Sequence, residues 1–195
     1  MDDPAFDELP AFEPLKVHCG DTQCDADLHC FRPNRRKRDW QKTYQGECQA
    51  CGRKLVDWER VRARDLADVQ GVFGELQHEY IRHGYFHAPF DADSRVEARE
   101  IGLDGLKARV RPLLKKKIGP AKIFRDGTQT KKLGSALFFA QHATATCCRK
   151  CLEYWHGVER NRDLTDEELD YCEALVTIYL DTRAGELFAE DPPPS

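Results

Sequence analysis

The stretch from Gln141 to Gly157, QHATATCCRKCLEYWHG, constrains this chain more than any other. It places His142, Cys147, Cys148, Cys151 and His156 in one short run. Core packing has no use for so many thiols and imidazoles together, whereas a tetrahedral metal site needs such a set. Cys148-x2-Cys151 has the spacing at which two sulfurs of one tight turn face the same ion. Cys147 and Cys148 are adjacent, and on regular backbone their side chains diverge, so both reach one metal only if the turn is irregular. The favoured reading is a Cys2His2 zinc centre of His142, Cys148, Cys151 and His156, with Cys147 as a substitute ligand or a reactive thiol. With three protein ligands, the open position would hold a water of lowered pKa, as in hydrolytic zinc sites. An iron–sulfur cluster on Cys147, Cys148, Cys151 and Cys172 is the less favoured cofactor, because this spacing matches neither common ferredoxin pattern.

Except for Cys172, the other cysteines gather between Cys19 and Cys51. There Cys48-x2-Cys51 is followed by Gly52, which relieves the strain of a knuckle turn. A structural zinc takes four ligands, so two more must come from upstream, where Cys19, Cys24 and Cys30 stand, with His18 and His29 as substitutes. The expected set is Cys24, Cys30, Cys48 and Cys51. Residues 16–55 show little helical periodicity and read as an irregular zinc-knuckle module. A thioredoxin-type redox pair would sit beside a βαβ unit, and none is visible.

Nine cysteines in close-spaced groups, in a chain whose first residues lack a basic and then an apolar segment, do not read as a secreted disulfide framework. Reduced thiols and a cytoplasmic location are expected. No apolar run approaches the ~18–20 residues of a bilayer span, so no membrane association is expected. At 195 residues and 41% hydrophobic content, the chain supports one main domain plus a small metal-nucleated lobe.

The expected fold is mainly α: a compact helical domain over 56–189 stapled by the central Cys/His site, preceded by the 16–55 module. Residues 1–15 read as a disordered acidic arm and 190–195, with three consecutive prolines, as a disordered tail. Apolar residues from Val56 to Ile81 recur at three- and four-residue steps, predicting one amphipathic helix or a pair broken near Gly71. Ser94 and Glu97 fit a capping box opening a second helix to about Ile118, with Gly102 and Pro112 as points of weakness. Gly134 to Ala140 is an apolar run that periodicity assigns to neither strand nor helix. Thr165 and Glu168 form another capping box, opening a helix to about Leu187 in which Cys172 is a core residue.

The net charge of -4 excludes a wholly basic nucleic-acid binder, yet the charge is uneven. Arg35, Arg36, Lys37 and Arg38 stand near Trp40, a pairing that can clamp phosphates and stack bases. A second basic segment runs from Lys107 to Lys132 and holds Lys115, Lys116, Lys117, Arg125, Lys131 and Lys132 against one carboxylate, Asp126. Within it Gln129 is a candidate for base contacts. The turn Ile118-Gly119-Pro120-Ala121 resembles, at a low level, a helix-hairpin-helix whose backbone amides hold a phosphate.

HATATCCRKCLEYWHG, with the upstream RDGTQT and AQ, resembles the signature of a bacterial family of small proteins, a domain of unknown function. The resemblance covers at least Val56 to Leu180. It implies a compact intracellular domain with a Cys/His-rich centre and no activity to carry over, the first module being an addition.

Three functions follow from these residues. The leading one is a metal-stapled protein that binds nucleic acid through its two basic segments. The second is a metal-dependent enzyme on a phosphate-bearing substrate, with His83, His87 or Glu153 as general base; no HExxH, deaminase, Walker or dinucleotide motif accompanies it, and no catalytic residue is assigned. The third is a structural module with a protein partner.

Overall fold

The computed structural model describes residues 17–32, 46–121, 123 and 126–189. The 1–15 arm, the 190–195 tail and the Arg35–Trp40 cluster lie outside these residues. Among them the protein is mainly α, with seven α-helices and no strand. The helices are α1 (Trp58–Ala63), α2 (Val69–Leu76), α3 (Tyr80–His87), α4 (Ala92–Ile118), α5 (Ala136–Ala143), α6 (Arg149–His156) and α7 (Asp166–Leu187).

The segment expected to form one or two helices after Val56 is three short ones. The chain breaks at Arg64, which takes a left-handed φ of 53°, and again between Leu76 and Tyr80. Gly71, the expected break, lies inside α2, where a Cβ would come within 2.3 Å of the Asp68 carboxylate. Helix α4 starts a turn before the expected box. Asp91 is its N-cap, its carboxylate accepting the Ser94 N–H and Oγ–H, each at 3.0 Å. Gly102, at φ 71°, breaks α4 internally, while Pro112 sits in helical conformation. The Gly134–Ala140 run becomes part of α5, capped by Ser135. The Thr165–Glu168 capping box is present in full, and α7 runs to Leu187.

Helices α4 and α7 form the longest packed pair; α5 lies against α3, α4 and α7, and α1 joins α2 to α6. One hydrophobic cluster includes Leu106, Leu114, Phe139, Trp155, Leu175 and Tyr179, and extends to Val17, Phe31 and Cys48 of the first segment. Phe31 meets Trp58 and Trp155 edge-on at 6.2 and 6.1 Å. The backbone of His29 accepts from Tyr80 N–H at 2.8 Å and donates to His78 at 3.0 Å, clipping the Cys-rich segment to the start of α3. Trp58 Nε1–H donates to the Gly46 carbonyl at 3.0 Å. A Cβ at Gly46 would fall 1.9 Å from that indole, so the closure admits only glycine.

Helix C-termini leave carbonyls without intrahelical partners, and four are met here by arginines from other elements. Arg64 donates to His156 at the end of α6 at 2.8 Å. Arg82 donates to His142 near the end of α5 at 2.5 Å. Arg149 reaches Ile118 at the end of α4 at 2.9 Å. Arg183 donates to Phe86 and Ala88 at the end of α3. The positive charge also complements the helix dipole.

Burial, with His87 beside it, holds the His83 imidazole down to about 4, and burial does the same to His156, also to about 4. The unfolded chain takes up these protons near the usual 6.5. Between 6.5 and 4 the unfolded state therefore binds more protons, and stability is lost as pH falls through that window. Urea titrations at pH 7, 5.5 and 4.5 are expected to show a falling midpoint, and His156→Gln should flatten part of the slope.

Candidate metal centres

Among the described residues, two groups of side chains place metal-ligating atoms within 4.8 Å of one another, and each could hold a metal ion. The first is Cys24, His29, Cys48 and Cys51. Cys24 follows Gln23, whose backbone pairs with Leu28, and the short 3-10 turn Cys24–Ala26 closes on Asp27 in left-handed conformation. That tight turn carries Cys24 and His29 back to the Cys48–Cys51 knuckle. Cys24 Sγ is 3.8 Å from Cys48 Sγ, and Cys51 Sγ is 3.3 Å from His29 Nδ1.

The environment suits thiolate and imidazole ligands. His29 Nε2 faces Asp27 Oδ1 at 3.1 Å, and Asp27 is held in turn by Arg53 at 2.8 Å. A carboxylate on the outer nitrogen fixes the tautomer that leaves Nδ1 with a lone pair for a metal. Burial would raise the Cys48 thiol, but the amides of Cys51, Ala50 and Cys30 outweigh it and hold the group down to about 6. Cys24 goes the other way, pushed up to about 11 by burial and by the neighbouring thiols of Cys51 and Cys48. Thiols this close compete for protons; a metal ion would replace them.

Cys30 was expected in this set, and the fold directs it elsewhere. Successive residues in extended backbone face opposite ways, so with His29 turned to the knuckle, Cys30 turns away from it. Its Sγ–H donates to the Cys19 carbonyl at 3.2 Å, and it is 1% exposed.

The second group is Cys147, Cys148 and Cys151, all buried. Ala145 adopts a left-handed φ of 57°, and Cys148 is fully extended as the N-cap of α6. The turn is therefore irregular enough to bring adjacent cysteines to one point. Cys148 Sγ accepts the Cys151 N–H at 3.5 Å. His142 and His156, expected to complete this set, are not in it. His142 Nε2–H donates to the Lys131 carbonyl at 3.1 Å and its ring stacks on Tyr85 at 4.4 Å. His156 is spent in the core, Nε2–H donating to Thr144 at 3.0 Å and Nδ1 facing the Tyr171 hydroxyl at 3.0 Å.

Beside the thiols stands Arg82, 2% exposed, which sequence reasoning missed. It donates to Cys151 Sγ at 3.3 Å and lies 3.9 Å from Cys147 Sγ. Its Nε–H donates at 2.9 Å to Glu79, which also accepts from Trp155 Nε1 at 2.8 Å. Hydrogen bonds from the Cys147, Cys148 and Cys19 thiols, together with the Arg82 charge, hold Cys151 well below the ordinary thiol range despite burial. The Cys147 thiol is pushed well above it by its bonds to Cys148 and Cys151 and by burial. Cys172 is in the α7 core.

Other candidates fall apart from these centres. His83 and His87 lie 4.2 Å apart by ring centroids and belong to neither group. Glu153 is ion-paired to Arg160 at 2.5 Å. Lys115, Lys116 and Lys131 are exposed, and Lys117 and Lys132 are half-buried. Gln129 is 9% exposed and accepts the Gly127 N–H at 2.9 Å, a turn-holding role. Arg125 lies outside the described residues. The Ala121 amide donates to Asp163 at 2.7 Å, so a carboxylate stands where the hairpin reading put a phosphate.

A family described as a domain of unknown function, DUF4186, matches residues 70–181. The chain belongs to that family. The match takes in the second cysteine group and ends the family segment well short of the first, which lies wholly before residue 70. No solved structure matches the chain.

Removing Arg82 would leave the buried Glu79 carboxylate uncompensated, which typically costs about 3–5 kcal/mol. Arg82→Met is expected to lower the urea midpoint accordingly. Arg82→Lys should rescue little, because a single ammonium cannot serve Glu79, His142 and Cys151 at once.

Proposed function

We propose that this protein is a zinc protein with two metal ions, one replacing hydrophobic core that the small, cysteine-rich segment lacks and one at the buried thiols of the helical domain. The observation that carries the reading is the convergence of Cys24, His29, Cys48 and Cys51, four donor atoms from two turns on one point. Three thiols and an imidazole in a closed set suit tetrahedral zinc, and soft sulfur ligands disfavour magnesium and calcium. Free thiols kept for metal suit a reducing compartment, which supports a cytoplasmic location, and the resemblance of the signature supports a bacterial source. The HATATCCRKCLEYWHG stretch is taken as the family's signature because it builds both the α6 cap and the thiol group.

Nucleic-acid binding is the second part of the proposal. It is supported by Lys115 and Lys116, exposed on the last turn of α4, and by Lys131 in the following loop. Arg111, one turn earlier, is instead engaged by Asp166, Asp170 and Glu173 of α7. Lys115 also reaches Asp166, at 4.0 Å, while remaining largely exposed. Lysines there also complement the helix dipole, which is why binding must be measured directly.

Metal analysis of the purified protein is expected to find two zinc ions per chain. Cys48→Ser should leave one, and Asp27→Asn should weaken retention of that ion by about 10–100-fold in chelator competition. A metal-free folded protein would rule the zinc reading out. For nucleic acid, affinity should fall steeply with salt, and charge reversal at Lys115, Lys116 and Lys117 should cut the log–log slope by up to about 3. Salt-independent binding, or none, removes that part.

A further inference from the structure

The two thiol groups differ in what can reach them. Cys147, Cys148 and Cys151 are between 4% and 5% exposed. In the first group Cys51 is exposed and Cys24 half-buried, and only Cys48 of its three thiols lies in the interior. Oxidation starts with attack by sulfur on the oxidant, so accessible thiolates react and buried ones do not. Of the two candidate metal centres, the first is the one open to an oxidant.

Two of its sulfurs already face each other. Cys24 Sγ lies 3.8 Å from Cys48 Sγ, a short approach from an S–S bond of ~2.0 Å. Each is held by the backbone of its own turn. The Cys24 turn is closed by Gln23 and Leu28, whose amides and carbonyls pair at 2.8 and 3.1 Å. Cys48 donates its amide to Arg53 at 2.7 Å, and its sulfur accepts the Ala50 N–H at 3.4 Å. Cys51 faces the other way in the group, 3.3 Å from His29 Nδ1.

We propose that the first centre is a peroxide-sensitive release site, at which hydrogen peroxide joins Cys24 to Cys48 as a disulfide and the metal ion leaves. The proposal rests on the zinc reading above and adds a reaction to it. The half-buried Cys24 thiolate attacks one peroxide oxygen; an S–O bond forms, the O–O bond breaks and hydroxide departs. The Cys48 thiolate then attacks the Cys24 sulfur; the S–S bond forms, the S–O bond breaks and a second hydroxide departs. The two sulfurs together lose two electrons, which the peroxide oxygens gain, and zinc stays divalent. Cys51 and His29 are then the ligands left, short of the four that a structural zinc takes. His29 stays in place without the ion, because its ring is held by Asp27 at 3.1 Å and its backbone by His78 and Tyr80. Reduction of the disulfide by an external thiol therefore restores the full ligand set.

The test uses the full zinc-loaded chain, with the ion counted by a chromogenic chelator before and after excess hydrogen peroxide, and disulfides mapped by mass spectrometry without reduction. Wild type is expected to lose one of two equivalents, to form the Cys24–Cys48 bond in the same proportion, and to regain the ion on adding dithiothreitol and zinc. Cys24→His keeps four ligands but removes one of the paired sulfurs, and it is expected to hold both equivalents through the same treatment. Should that variant fail to load, the wild-type disulfide map decides. Loss of both ions, a bond between Cys48 and Cys51 or among Cys147, Cys148 and Cys151 instead, irreversible loss, or release that Cys24→His does not prevent overturns the proposal. The count before peroxide separates it from the zinc reading. Two equivalents that peroxide leaves in place overturn this proposal alone, whereas a wild-type protein with no metal overturns the zinc reading and this proposal with it. A starting count of one removes the central ion from that reading, and the proposal then stands or falls on release of the single ion with the same bond.

Discussion

Arg82 is the interaction on which most of this structure depends. One guanidinium, almost wholly out of water, ties Glu79 and through it the Trp155 indole, closes the end of α5 at His142, and faces the sulfurs of Cys147 and Cys151. A buried cation is costly unless every donor is used and its charge is matched. Here the match is a carboxylate on one side and the acidic Cys151 thiol on the other. The planar fork of arginine allows this, because its donors point in several fixed directions at once.

The same logic recurs at lower cost around the bundle. Arg64, Arg149 and Arg183 each close the carbonyl end of a helix to which they do not belong. Short helices such as α3, α5 and α6 gain little stability from propensity alone. Packing and capping from distant residues hold them, and the caps fix the order in which the helices stack. Among the described residues these arginines are therefore spent on architecture.

The Cys-rich segment is coupled to this bundle at points of different chemistry. Phe31 wedges against two tryptophans, and the His29 backbone pairs with the start of α3. His29 contributes twice, since its backbone binds α3 while its ring faces the knuckle cysteines. Loading of the first site and docking of the segment are thus linked through one residue.

Periodicity and capping residues made the helical class, α7 with its Thr165–Glu168 box, and the two regions of metal-ligating residues legible in the sequence. These are local properties: a capping box or a CxxC acts over three residues, and its geometry is the same in any context. Which side chains complete each site was decided by tertiary structure. The choice of His29 over Cys30 depends on how the extended segment around His29 pairs with the start of α3. His142 and His156 were drawn away by a carbonyl, a tyrosine and the core, partners far enough in sequence to leave no local signal. Arg82 approaches the central thiols only because the bundle packs α3 against α5. A ligand set is a statement about distances in space, and sequence spacing constrains those distances only within a turn.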